Sequence, residues 1–277
     1  MINQYSGLKT SPSRFPRLAI LIVFVVFLAG CDSQGDNDDD GTPPQILSAD
    51  IFSLQVDLFR QGATKGSGSK LNFAAAAFRV WPVSLVLSAH TIIPVAVTAA
   101  ALNDTPEFVD GAWEWTATVP VQQSSIDFTL IGAASGSTVD WRMEISGTDP
   151  VSGVTYDSFV LYTAQTTVGE QGGSWKLYYE LEGVRTNVLD ATFDVTDDDT
   201  KSLTYSVPVT FPDTGGDSVL FDTDGNAKHF LWQQVNLSRS HEVEWDAATK
   251  EGSIVSTTFN SGDKGCWDTN LDDIECK

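Results

Sequence analysis

Residues 113–145 read WEWTATVPVQQSSIDFTLIGAASGSTVDWRMEI, and their alternation decides the fold. Trp113, Trp115, Ala117, Val119 and Val121 share one side of the first run, with Glu114, Thr116 and Thr118 on the other. Gln122-Gln123-Ser124 interrupts, and Ile126, Phe128 and Leu130 then alternate with Asp127 and Thr129. After Ser135-Gly136-Ser137, Val139, Trp141, Met143 and Ile145 alternate with Asp140, Arg142 and Glu144. Side chains of a strand point to opposite faces in turn. The pattern therefore predicts antiparallel strands with one buried and one wet face, joined by turns.

The same period continues downstream. Tyr156, Val160 and Tyr162 form one set, followed by Trp175, Leu177, Tyr179 and Leu181 against Lys176, Glu180 and Glu182. Phe193 and Val195, then Leu203, Tyr205, Val207 and Val209, then Phe230 and Trp232, then Val243 and Trp245 extend it. No repeat of fixed period is visible, which disfavours a propeller or solenoid. The expected fold is mainly β, one domain over 46–277. It is an antiparallel meander of about ten to twelve strands forming a curved sheet or partly closed barrel around an apolar helix. Trp115, Trp141, Trp175 and Trp245 are expected inside; Glu114, Arg142, Lys176 and Glu244 are expected outside.

The helix is expected upstream, where 71–102 reads LNFAAAAFRVWPVSLVLSAHTIIPVAVTAAAL with Arg79 as its one formal charge. The length permits a membrane span, and the β-branched residues permit two strands. Ala74–Ala77 and Ala99–Ala101 favour a helix broken or kinked near Pro82 and Pro94, with Asn103 as C-terminal cap. A helix apolar all round must be buried on all sides, so the strands are expected to wrap it.

The N-terminal end is of another kind. Lys9, Arg14 and Arg17 precede an apolar run from Leu18 to Leu28, and Leu28-Ala29-Gly30-Cys31 follows. Eleven apolar residues suit a signal-peptide core better than a membrane span. The segment resembles the signal peptide and lipobox of bacterial lipoproteins. That resemblance implies cleavage after residue 30 and a diacylglycerol and acyl chain (palmitate or similar) on Cys31, the link to a membrane. Residues 31–45 then hold the lipidated Cys and an acidic linker, DSQGDNDDDGTPPQ, with nothing to bury. Acid just after the lipidated Cys resembles the export signal of surface lipoproteins in Bacteroidetes-like bacteria. Asp32 itself resembles the inner-membrane retention signal of enteric bacteria, a departure that points to the periplasm. The expected location is the cell envelope, with outer membrane or cell surface preferred.

Charge excludes one class of partner. Residues 31–277 hold all 37 acidic residues and 13 of the 16 Lys and Arg, a formal charge of −24. Such a surface repels phosphate backbones, so nucleic acid is excluded as a partner. Three Cys and three His supply little for a metal cluster. Gly216-Asp217-Ser218 resembles the nucleophile block of GDS-type esterases, but the Asp-x-x-His that family also needs is absent from this sequence. His90 reads as a core histidine. A turn around Ser238-Arg239 would set His241 opposite Asn236 and His229 opposite Ala248, too far apart to share a metal. Glu180/Glu182 and Glu242/Glu244 read as solvated pairs. Asp222, Asp224 and Asn226 surround Gly225, which suits a hairpin turn, and Asp197-Asp198-Asp199 reads as a charged turn. Asp268, Asn270 and Asp272 resemble the start of an EF-hand loop, but Asp273 replaces its Gly, which leaves at most an irregular calcium loop. No cofactor, metal ligand or catalytic residue is assigned. With Cys31 acylated, Cys266 and Cys276 remain, and an oxidising compartment pairs them in a disulfide.

The sequence leaves three functions open: a non-catalytic envelope lipoprotein that binds or supports another envelope protein, a lipocalin-like carrier of an apolar ligand, and a hydrolase of surface glycans or esters. A filled interior favours the first, an apolar cavity of several hundred Å³ the second, and a cleft with two converging carboxylates the third.

Overall fold

Alternation becomes a single antiparallel sheet. Its strands are β1 Glu107–Val109, β2 Ala112–Val121, β3 Ser124–Ser135, β4 Thr138–Thr148, β5 Thr155–Thr167, β6 Gly172–Leu181 and β7 Val184–Val195. They continue as β8 Thr200–Ser206, β9 Ser218–Asp224, β10 Ala227–Gln234, β11 Arg239–Asp246, β12 Gly252–Ser256, β13 Gly265–Trp267 and β14 Asp273–Ile274. The computed structural model describes residues 41–46, 51, 54–60, 68–101, 103–121, 124–148, 154–169, 171–197, 199–211 and 213–277. The signal peptide expected at 1–30, Cys31 and most of the expected linker lie outside the described residues, and so do the side chains of 89–100, His90 included.

The 14 strands follow one another in the order of the sequence, each antiparallel to its neighbours. The meander is as expected, and the sheet is not closed. The strand number exceeds the expected ten to twelve because β1, β13 and β14 have only three, three and two residues, too few to show a period.

One face carries the core. Trp115, Trp141, Trp175 and Trp245 are all buried there, with Phe128, Met143, Leu177, Phe221, Phe230 and Val243. Arg142, Lys176 and Glu244 are exposed and Glu114 is half-buried, so the expected register holds. Gly132 faces Trp141 across β3 and β4, and Gly252 faces Trp267 across β12 and β13. A Cβ on Gly132 would come within 2.7 Å of the Trp141 ring, and one on Gly252 would meet the Trp267 ring. Glycine is needed at both positions for space: it makes the slot that the indole fills.

Ahead of the sheet lie a short helix, α1 Asp57–Arg60, and a long one, α2 Leu71–Ala101. The backbone of α2 is helical from Leu71 to Ala101, so of the break or kink expected near Pro82 and Pro94 the break does not occur. Pro82 is exposed, and its missing N–H costs the helix one hydrogen bond, to the Phe78 carbonyl, without ending it. The expectation of burial on all sides also fails. Phe73, Ala76, Val80, Ser84 and Leu87 form one buried stripe, whereas Leu71 and Phe78 are 68% and 78% exposed. An open sheet covers only one side of a helix. Within it, α2 packs on β11–β14 and on β2 and β3.

The first turn of α2 is closed by the far end of the chain. The Asp273 carboxylate accepts the backbone N–H of Leu71 (3.1 Å) and of Asn72 (2.9 Å). Lys70 Nζ donates to the Asn270 carbonyl (2.7 Å), and Asn72 Nδ2 to that of Cys266 (2.9 Å).

Candidate functional site

Between the closest contacts of α2 with the sheet lies a cavity of about 570 Å³. Pro82, Val83, Val86 and Leu87 of α2 form one wall. Tyr179 and Leu181 of β6, Val188 and Leu189 of β7, and Tyr205 of β8 form the opposite one. Val219 and Trp232 continue it onto β9 and β10, and Val207, Phe211, Thr214 and Asp217 come from the β8–β9 connection. The walls follow from sequence parity. Leu189, Tyr205 and Val219 are inward positions of their strands, while an extra residue in β7, Val188 opposite Leu177 and Tyr178, bulges that strand and adds a second wall position beside Leu189. Burial pushes the Tyr205 phenol well above its ordinary value, so it stays neutral.

The β8–β9 connection is pinned at its base. Val207 N–H donates to the Asp217 carbonyl and Gly216 N–H to that of Val207, both at 2.9 Å. Asp217 Oδ1 accepts the N–H of Val235 (2.8 Å). Gly216-Asp217-Ser218 is therefore a loop anchor, and Asp217 is one of the residues that line the cavity. The sequence marks neither the apolar walls nor Asp217 as a site. Alternation marks such residues as inward without telling which of them meet a neighbour and which meet space.

The remaining candidates are engaged elsewhere. The β10–β11 turn falls at Val235–Ser238, and His241 pairs with Trp232 and His229 with Glu244. The expected partners, Asn236 and Ala248, are corrected accordingly, because the turn closes earlier than Ser238-Arg239. His229 is held by Asp222 through Nδ1 (3.1 Å) and by Glu242 through Nε2 (3.0 Å). Partial burial lowers its pKa, but the two carboxylates outweigh that and raise it. His241 lies on the inner face, where Nδ1 is 2.8 Å from Ser256 Oγ and accepts Arg79 Nε–H at 3.3 Å. Desolvation, then the charges of Arg79 and Arg239, bring its pKa down to about 4.

Glu182 is not a strand partner of Glu180: it stands in the β6–β7 turn with φ 54°. Gly225, with φ 57°, makes the two-residue β9–β10 turn. Asp197 Oδ1 accepts the N–H of Asp199 and Thr200, which fixes the β7–β8 turn. In the loop of Asp268, Asn270 and Asp272, Asp268 Oδ1 accepts the N–H of Asn270 and Asp272 (2.8 and 3.0 Å), and the Lys70 ammonium stands 3.8 Å from Asp272. Among the described residues no three His, Cys, Asp or Glu side chains converge as a metal site. Cys266 and Cys276 are disulfide-bonded, with Cα atoms 5.3 Å apart.

Comparison with protein-family models, with curated proteins and with solved structures found no match for this chain.

Proposed function

We propose that this protein is a lipid-anchored, non-catalytic protein of a bacterial cell envelope whose β-domain holds an apolar molecule between α2 and β6–β10. The observation that carries the reading is the cavity. At about 570 Å³ it lies within the size range of small-molecule sites, and its walls are mostly aliphatic and aromatic. Burying apolar ligand surface there is favourable by about 25 cal/mol per Å². Two carboxylates converging on this space, which a glycosidase would use, are not among the described lining residues: Asp217 is the one acid there. The anchor rests on Leu28-Ala29-Gly30-Cys31. A lipid on Cys31 with an acidic tether behind it would hold the domain in the water layer outside the membrane.

Two experiments test the two halves. An environment-sensitive fluorescent alkyl probe should bind the purified domain, and Val86→Trp and Val188→Trp, which fill the cavity from opposite walls, should each weaken it at least tenfold. Their melting temperatures report whether the fold is intact. Equal affinity in folded variants refutes the cavity as the site. For the anchor, Cys31→Ser should abolish incorporation of labelled palmitate; unchanged labelling would show that the lipid is not carried there.

A further inference from the structure

The cavity is mostly apolar, and the one formal charge in its lining selects a head group. Among the described residues that line it there is no Lys, Arg or His. The one formal charge is the Asp217 carboxylate, held in place by the Val235 N–H, with the Thr214 and Ser218 hydroxyls in the same lining segment. All three belong to residues 214–218, on the β8–β9 connection and the first residue of β9, and Ser206 pairs with Ser218 beside them; Tyr179, Tyr205 and Trp232 of the strand wall add neutral polar atoms and no charge. Arg79, one turn before Pro82, is turned to other duties: it donates to His241, to the Ala75 carbonyl and to Thr258 Oγ1. An anionic head placed beside Asp217 would meet a like charge in a partly desolvated site with no cation to offset it, which is costly. A cationic head gains there, and the net charge of −21 raises its local concentration as well.

We infer that the cavity takes an amine-headed amphiphile, with the ammonium at Asp217 and the aliphatic chain along the wall between α2 and β6–β8. The volume suits about 20 non-hydrogen atoms, taking roughly 30 Å³ for each. This inference rests on the cavity being the binding site, and the experiment separates the two. Dodecylammonium, dodecanol and dodecanoate, each below its micelle concentration at pH 7, are titrated against the probe bound to the full domain.

The expected order is amine, then alcohol, then carboxylate, with at least tenfold between the first and the last. Asp217→Asn keeps an oxygen for the Val235 N–H and should bring amine and alcohol within about threefold of each other. Dodecanoate binding as tightly as dodecylammonium overturns the head-group inference and leaves the cavity reading standing. So does an amine preference that survives Asp217→Asn in a protein with unchanged melting temperature, since it would then come from the general acidic field. Failure of all three to displace the probe, together with indifference to Val188→Trp, overturns both.

Discussion

His229 and His241 sit on opposite faces of the same hairpin, and their protons answer to opposite rules. His229 donates from both nitrogens to Asp222 and Glu242 when protonated, so its folded pKa lies above the ordinary 6.5. The stability it contributes is fully present below pH 6.5 and is lost as pH rises through the folded value. His241 is hydrogen-bonded as the neutral ring, with Nδ1 accepting from Arg79 and Nε2 3.4 Å from Gln234 Oε1. Its folded pKa of about 4 means that the unfolded chain binds the extra proton between pH 6.5 and 4. Acidification through that window should cost on the order of 3 kcal/mol at this one residue. Histidine ring signals followed by NMR against pH should show one midpoint above 6.5 and one near 4. Asp222→Asn with Glu242→Gln should move the first down, and Arg79→Met should move the second up. Coincident midpoints would sink both assignments.

Among the elements, the strands depend on cross-strand slots as much as on the apolar side chains that fill them. Gly132→Ala and Gly252→Ala should each destabilise by about 1–3 kcal/mol through overpacking, read as a lower urea midpoint with an unchanged slope. Trp141→Ala should cost about 3–5 kcal/mol. That change also leaves Thr166 Oγ1 without the buried indole N–H it accepts at 3.0 Å. The slots explain what was legible in the sequence and what was not. Trp113 to Ile145 declares its faces because every second residue is apolar and no bulge shifts the parity. Opposite Met143 and Glu144, and opposite Leu177 and Tyr178, an extra residue enters the partner strand, Leu161 in β5 and Val188 in β7, so Leu161 and Tyr162 are both buried and the simple count fails there. The sequence of α2 shows its helical propensity, and it hides which side the sheet will cover. Composition alone made Phe78 as apolar as Phe73, yet one is 78% exposed and the other fully buried. The cavity was illegible for the same reason: it depends on where packing stops.

The whole molecule carries 37 acidic and 16 basic residues, and it should be held back by its own repulsion. Raising NaCl from about 10 to 150 mM shortens the Debye length from about 30 to 8 Å and should raise the melting temperature. A fall would mean that exposed ion pairs such as Lys264–Glu244 (3.3 Å) outweigh the excess of acid. The disulfide adds to stability at this scale. Non-reduced protein should show no reactive thiol at Cys266 or Cys276, and reduction should lower stability by roughly 2.5–3 kcal/mol. What the bridge holds in place is Asp273, and that carboxylate has a bearing on time. Each strand pairs with the one made just before it, so the sheet can be laid down in the order of synthesis. The opening turn of α2 cannot be finished that way, because its partner arrives some 200 residues later. The clasp can therefore close only after β14 has been made. A chain stopped at residue 264 should keep the meander through β12 yet leave the N-terminal end of α2 open, and limited proteolysis should cut it near 69–72 where the full chain resists.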